Sequence, residues 1–217
     1  MTTSTYLLRI RLPDQPGVLG RVASALGSAG ADIDSIVVVD RAAEYAVDDL
    51  VVTLPVAALA DRLVSAAASV PGVIVETVQR HHGRLRMHDD LALLDAAASS
   101  ADPLATLITG IPALLHASYG LMVMESSGDA TIVAATPSAP DSRCRAGWLP
   151  LDQPRELAAT DVWEDPTAAG PDCELAGVPF RGASAIVLGR IGGPAFRPAE
   201  LTRLSHLSRV AQALLPA

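Results

Sequence analysis

The chain has no lysine and no asparagine, and its basic residues are all arginine. That bias points to a GC-rich genome, hence to a bacterium such as an actinomycete, and carries little about activity. Aromatic residues make up 3% of the sequence against 50% hydrophobic residues, so any core must be built from alanine, valine, leucine and isoleucine. Cysteine is nearly missing. Cys144 and Cys173 stand far apart, without metal-ligand spacing, and read as reduced thiols of a cytosolic protein. The net charge of −8, with no basic run, denies the chain the electrostatic footprint that phosphate backbones or anionic lipids require. No apolar run approaches the ~20 residues of a membrane span, and Met1-Thr2-Thr3-Ser4 lacks the charged and apolar regions of a signal peptide. A soluble, cytoplasmic protein with no nucleic-acid or membrane partner is expected.

At 217 residues there is room for one large domain or two small ones. Tyr6, Leu8, Ile10 and Leu12 alternate with Leu7, Arg9 and Arg11, the period of a strand with one strongly apolar face. Pro13 to Gly17 breaks that run with turn formers, and Val18, Leu19, Val22, Ala25 and Leu26 follow at helical spacing until Gly27 and Gly30. Ile33 to Val39 and Tyr45 to Leu54 read as two strands. A second helix carries Val56, Leu59, Ala60, Leu63, Val64 and Ala67 on one face, and Val73 to Val78 gives a fourth strand. The order β-α-β-β-α-β predicts a ferredoxin-like α+β domain over 1–80, with two helices on one sheet face. The other face is then uncovered, and that face or an edge strand is expected to meet a second copy.

Residues 81–90, rich in histidine, arginine and aspartate, read as a linker; a metal site is the sharper alternative, but the spacing fits no tight ligand pattern. Over 91–217 the pattern gives a first helix, then a second that starts at Asp102-Pro103 and carries Pro112. Strands follow at Tyr119 to Glu125, Thr131 to Ala135 and Ala183 to Gly189, with a terminal helix from Pro198. Thr136 to Phe180 is poorly periodic, with Trp148 and Trp163 as isolated apolar anchors.

The loop at Asp14 to Leu19 runs from a strand straight into a helix. The amides of Gly17, Val18 and Leu19 are therefore orphan donors at a positive dipole end, suited to a carboxylate or phosphate. Gly17 allows close approach to the backbone and Pro16 fixes the turn. With Asp14 accepting from an ammonium, and Asp32 as a second acceptor, the loop suits a zwitterionic amino acid. The alternative is a helix-capping turn and nothing more. Nucleophilic chemistry finds no assembled set: His116 with Ser118, and His206 with Ser205 and Ser208, lie on or beside helical stripes. The acid pairs Asp48-Asp49, Asp89-Asp90 and Glu164-Asp165 read as solvated turns. No catalytic residue, metal or cofactor is implied.

Asp14-Gln15-Pro16-Gly17-Val18-Leu19, followed by Gly30-Ala31-Asp32-Ile33 within β-α-β-β-α-β, resembles the ACT domain family of small-molecule, mostly amino-acid, sensors. The resemblance covers roughly residues 5 to 80. It implies a homodimer with an effector at the interface, and ligand contacts at Asp14, Gln15, Pro16, Gly17, Val18, Leu19, Asp32 and Ile33. Residues 89 to 216 resemble a GAF domain, most of all in Ala183 to Gly189 leading into Gly193-Pro194-Ala195-Phe196-Arg197-Pro198. That implies a GAF-like α/β domain, a central antiparallel sheet with flanking helices. In this family the helix cap after the phenylalanine is usually threonine, serine or aspartate, and here it is Arg197. The two resemblances together imply a free-standing, actinobacterial-type regulatory protein that senses a ligand without catalysis and signals through a protein partner. Two other functions compete with it. An enzyme would place chemistry in the GAF-like half on Cys144, Cys173 or His116. An RNA binder would use the open sheet, where Leu7, Arg9, Arg11, Asp48 and Leu50 stand in place of the aromatics that stacking requires.

Overall fold

A computed structural model describes residues 3–55, 59–81 and 88–215. Val56 of the second helical stripe, His82 and most of the expected linker (residues 82–87) lie outside the described residues. The chain divides into two compact units, residues 1–86 and 87–217.

The first unit runs β1 (Thr3–Pro13), α1 (Val18–Ser28), β2 (Asp32–Arg41), β3 (Tyr45–Pro55), α2 (Asp61–Ala68) and β4 (Ile74–Arg80). Its four strands form an antiparallel sheet in the order β2-β3-β1-β4. The pairing of β1 with β3 is continuous from Thr3↔Pro55 to Pro13↔Tyr45, so even-numbered residues of both strands share the helix-facing side. Tyr6, Leu8, Ile10, Leu12, Ala46, Leu50, Val52 and Leu54 form one core there with Val18, Val22 and Leu26 of α1 and Leu63 and Ala67 of α2. Small aliphatic side chains fill this core, as the shortage of aromatics requires. The second helix is shorter than its stripe predicted, and Leu59, 72% exposed, does not join the apolar face.

The register also corrects the reading of the other face. Asp48 and Leu50 belong to the helix side, opposite Ile10 and Leu8; the opposite face carries Leu7, Arg9, Val47, Asp49 and Val51. All five are buried rather than open. At the centre of this face Arg9 donates to both carboxylate oxygens of Asp49, Nε at 2.7 Å and Nη2 at 2.8 Å, a bidentate pair. Exposed apolar surface lies instead on the edge strand β2, where Ile36, Val37 and Val38 are 39%, 40% and 51% exposed.

The second unit runs α3 (Asp89–Ala98), α4 (Pro103–Leu114), β5 (Tyr119–Ser126), β6 (Asp129–Ala135), β7 (Arg155–Leu157), α5 (Ala159–Val162), a 3-10 turn at Pro166–Ala169, β8 (Cys173–Pro179), β9 (Ser184–Ile191) and α6 (Pro198–Leu214). Five antiparallel strands pair in the order β6-β5-β9-β8-β7. One sheet face is packed by α3, α4 and α6 through Leu94, Leu107, Ile111, Leu204 and Leu207. The other is covered by the poorly periodic segment, with Trp148, Val162 and Trp163 on Tyr119, Leu121 and Val187. Strand β8 lies within the stretch expected to be irregular. Asp102 accepts from the Ala105 amide at 3.0 Å with Pro103 at the first helical position, the start predicted for α4. Among the described residues no helix is long and apolar enough to cross a membrane.

Candidate functional site

The loop between β1 and α1 holds six of the eight residues singled out in the sequence. Asp14, Gln15, Pro16 and Gly17 are exposed, Leu19 is half-buried, and Val18 turns its side chain into the core. The Asp14 amide donates to the Glu44 carbonyl at 3.2 Å, which ties the loop to the β2–β3 turn. Gly17 sits at the helix start with φ +85°, a left-handed conformation that glycine adopts without strain. Among the described residues no side chain caps α1. The Val18 amide reaches the Gln15 carbonyl at 3.3 Å, whereas the amides of Leu19 and Gly20 have no acceptor among the described residues. Such donors at a helix N-terminus attract a carboxylate or phosphate. The Asp14 carboxylate belongs to the same loop and lies 3.3 Å from Arg41 of β2 in a solvent-exposed pair.

Asp32 and Ile33 are not brought to this loop within one copy. α1 carries the chain back along the sheet, so β2 starts opposite Thr53 of β3 while Asp14 adjoins Tyr45. Eight residue steps along β3 separate those two points, about 26 Å at a strand's ~3.3 Å per residue. Asp32 is exposed, and Ile33 packs on the core at that far end.

An acid expected to be solvated is instead buried in the helix-facing row of β3, toward the loop end of the sheet. Asp48 is 3% exposed, one row in from the Leu12–Ala46 pair at the end of β1. Its Oδ1 is buried and has no hydrogen-bond partner among the described residues. Burial pushes its carboxyl above the usual aspartate value; Arg41 opposes the shift, and the charges of Asp49 and Asp14 add to it. The sequence carries only part of the signal, because the alternate row Val47, Asp49 and Val51 also holds one acid among apolar residues. Ala46, Asp48, Leu50, Val52 and Leu54 form a period-2 row in which an acid interrupts four apolar residues.

The residues considered for catalysis are accounted for differently. Burial pushes the Cys144 thiol up to about 11 and raises Cys173 as well, the wrong direction for a nucleophilic thiolate. Cys173 lies 3.6 Å from the Tyr119 hydroxyl, whose own ionisation burial also suppresses. Ser208 donates to the Pro179 carbonyl at 2.6 Å, and Ser118 accepts from the Ile191 amide at 3.0 Å. His116 holds φ +51° and offers its carbonyl to Arg190. Asp165 caps the 3-10 turn, and the Thr167 hydroxyl and amide hold its carboxyl below the usual range. Asp90 is bound by Arg203 of α6 at 2.5 Å. A groove of about 350 Å³ between α3 and α6 runs past that pair and past Leu91, Leu94 and Val210.

The family model of the ACT domain matches residues 6–76, which spans the sheet, both helices and the loop. These residues are an ACT domain. The chain matches none of the curated proteins. Solved structures similar to it include the ACT domain of GTP pyrophosphokinase from Chlorobium tepidum, 20% identical over 41% of this chain and 97% of that one, TM-score 0.31. An uncharacterized protein from Thermotoga maritima is 21% identical over 37% of this chain and 100% of that one, TM-score 0.29. Homoserine dehydrogenase from Thiobacillus denitrificans is 26% identical over 36% of this chain and 17% of its own, TM-score 0.27. In this chain the ACT domain contributes the open helix start, Asp14 and Asp48.

Proposed function

We propose that the protein is a non-enzymatic regulator that binds an amino acid at the Asp14–Leu19 loop of its ACT domain and transmits occupancy to a protein partner. The observation that carries this reading is the N-terminus of α1, where the amides of Leu19 and Gly20 have no acceptor among the described residues and Asp14 belongs to the same loop. The amides take the ligand carboxylate and Asp14 its ammonium, a division of charge that suits a zwitterion. The functional unit is a homodimer. A second copy adding along β2, antiparallel about a two-fold axis, carries the partner's Asp32 and Ile33 to the Arg41 end of this copy's β2, next to the loop. This arrangement supports their assignment as ligand contacts despite their distance within one chain. The second unit is read as GAF-like, on its five-stranded antiparallel sheet with helices on one face and a long irregular cover on the other. Ligand binding at the dimer interface favours one arrangement of the copies and so biases that half or its partner.

Thermal-shift and calorimetric screening of the twenty common amino acids, on wild type and Asp14→Ala, tests the reading. One amino acid, or a small related group, is expected to raise the melting temperature of wild type, with binding weakened in Asp14→Ala. If no amino acid binds, the sensor function is wrong.

A further inference from the structure

We propose that Asp48 is the specificity residue of this site: it shares the ligand's ammonium group with Asp14 and so selects amino acids over carboxylic acids of the same shape. The assignment rests on the amino-acid reading above and names a residue that it does not use. Asp48 stands in the helix-facing row of β3, whose other members Ala46, Leu50, Val52 and Leu54 belong to one core with Val18, Val22 and Leu26 of α1. A valine or leucine at this position would complete the row. The chain instead holds a carboxylate that is 3% exposed, with Oδ1 lacking a hydrogen-bond partner among the described residues. Burying an unpaired acid opposes folding, because water no longer solvates the charge and nothing replaces it. The guanidinium whose charge acts on it, Arg41, pairs with Asp14 and stays 64% exposed.

The placement supplies what a structural role does not. Ile10 and Asp48 pair across the sheet one row in from Leu12 and Ala46, and the chain passes from Leu12 through the loop into α1. Since α1 connects β1 to β2, which flank β3, the helix crosses above β3. The amides of Leu19 and Gly20 and the buried Oδ1 of Asp48, all without partners among the described residues, thus lie toward the same end of the domain with opposite signs. A zwitterion carries the matching pair. Bound there, its ammonium gives Asp48 a partner that none of the described residues provides, and a ligand without nitrogen leaves the acid unsatisfied. Rejection of a ligand that lacks one hydrogen-bonding group is strongest when it leaves a buried partner unpaired.

The test uses the full chain, calorimetry, and two probes: the amino acid that binds wild type in the twenty-member screen, and its des-amino carboxylic acid. Wild type is expected to favour the amino acid by about tenfold to a hundredfold, the range for a hydrogen bond to a charged group. Asp48→Asn is expected to lose that preference while melting no lower than wild type, since asparagine is isosteric and uncharged. Asp48→Ala provides a second variant with the same expected loss of discrimination. If both variants melt normally and still prefer the amino acid, Asp48 is not the ammonium acceptor, although the amino-acid reading stands. If no amino acid binds wild type, that reading and this assignment fall together.

Discussion

At the scale of single residues, Asp48 makes stability and binding pull in opposite directions. Its carboxyl is held above the ordinary value of 3.8, first by burial, with Asp49 and Asp14 reinforcing and Arg41 opposing. A raised acid pKa means that the folded state binds the proton more tightly than the unfolded chain. The contribution is therefore favourable below pH 3.8 and is lost as pH rises through the folded value, where the buried group ionises. Asparagine mimics the protonated form at every pH. Ligand-free Asp48→Asn should then melt close to wild type at about pH 3.8 and above it at neutral pH, by about 2–4 °C per 1 kcal/mol for a chain of this size. Differential scanning calorimetry from pH 3.5 to 7.5 measures the gap. A variant that melts below wild type at pH 7 would make Asp48 a structural support rather than a functional acid held at a cost to stability.

At the scale of elements, α6 shows how a weak local signal is rescued by its surroundings. Arg197 replaces the expected capping residue, yet its amide donates to Glu200 Oε2 at 2.9 Å, with Pro198 at the first helical position. The other Glu200 oxygen accepts from Arg190 Nη2 at 2.7 Å, an ion pair with both side chains 5% exposed. The same guanidinium lies 4.0 Å over the Phe196 ring and donates to the carbonyls of Leu115 and Pro194, at 2.6 and 3.0 Å. Glu200→Ala removes the cap acceptor and strands a buried arginine, and should lower stability by about 3–5 kcal/mol. Urea unfolding followed by circular dichroism checks it; a loss under 1 kcal/mol would show that Arg190 is satisfied by carbonyls alone.

Element identities were legible wherever one periodicity dominated. The strands of the ACT domain, α1 and the start of α4 follow from alternation, glycine stops and the Asp102-Pro103 cap. Strand β8 was hidden because Gly177 and Pro179 dilute its alternation, and its neighbour β7 has only three residues. The faces of β3 could not be assigned from sequence, since Val47 and Val51 are as apolar as Ala46 and Leu50 and each face carries one aspartate. Only the pairing Leu8↔Leu50 and Arg9↔Asp49 separates the two acids, one to the arginine and one to the loop. The loop itself was legible as a helix start that nothing caps. The role of Asp48 was not, because it depends on register.

For the whole molecule, the decisive question is whether the site is complete in one copy. Within a chain, Asp32 lies at one end of the sheet and Asp14 at the other. Between them β2 forms an edge, and its consecutive residues Ile36, Val37 and Val38 leave apolar surface exposed on both faces. An edge of this kind pairs with another chain unless something protects it. An antiparallel pairing about a two-fold near Ile36 and Val37 would extend two four-stranded sheets into one of eight and exchange the ends of β2. Asp32 of each copy would then face the loop of the other. A lysine at position 37 would meet its own symmetry mate across such an axis, and like charges directly opposed are destabilising. Val37→Lys should therefore convert a dimer to a monomer in size-exclusion chromatography with light scattering, with the circular dichroism spectrum unchanged. Amino-acid binding should fall with it, even though Asp14, Gly17 and Asp48 are untouched. A monomeric Val37→Lys protein that binds as wild type does would place the whole site in one chain and remove Asp32 from it.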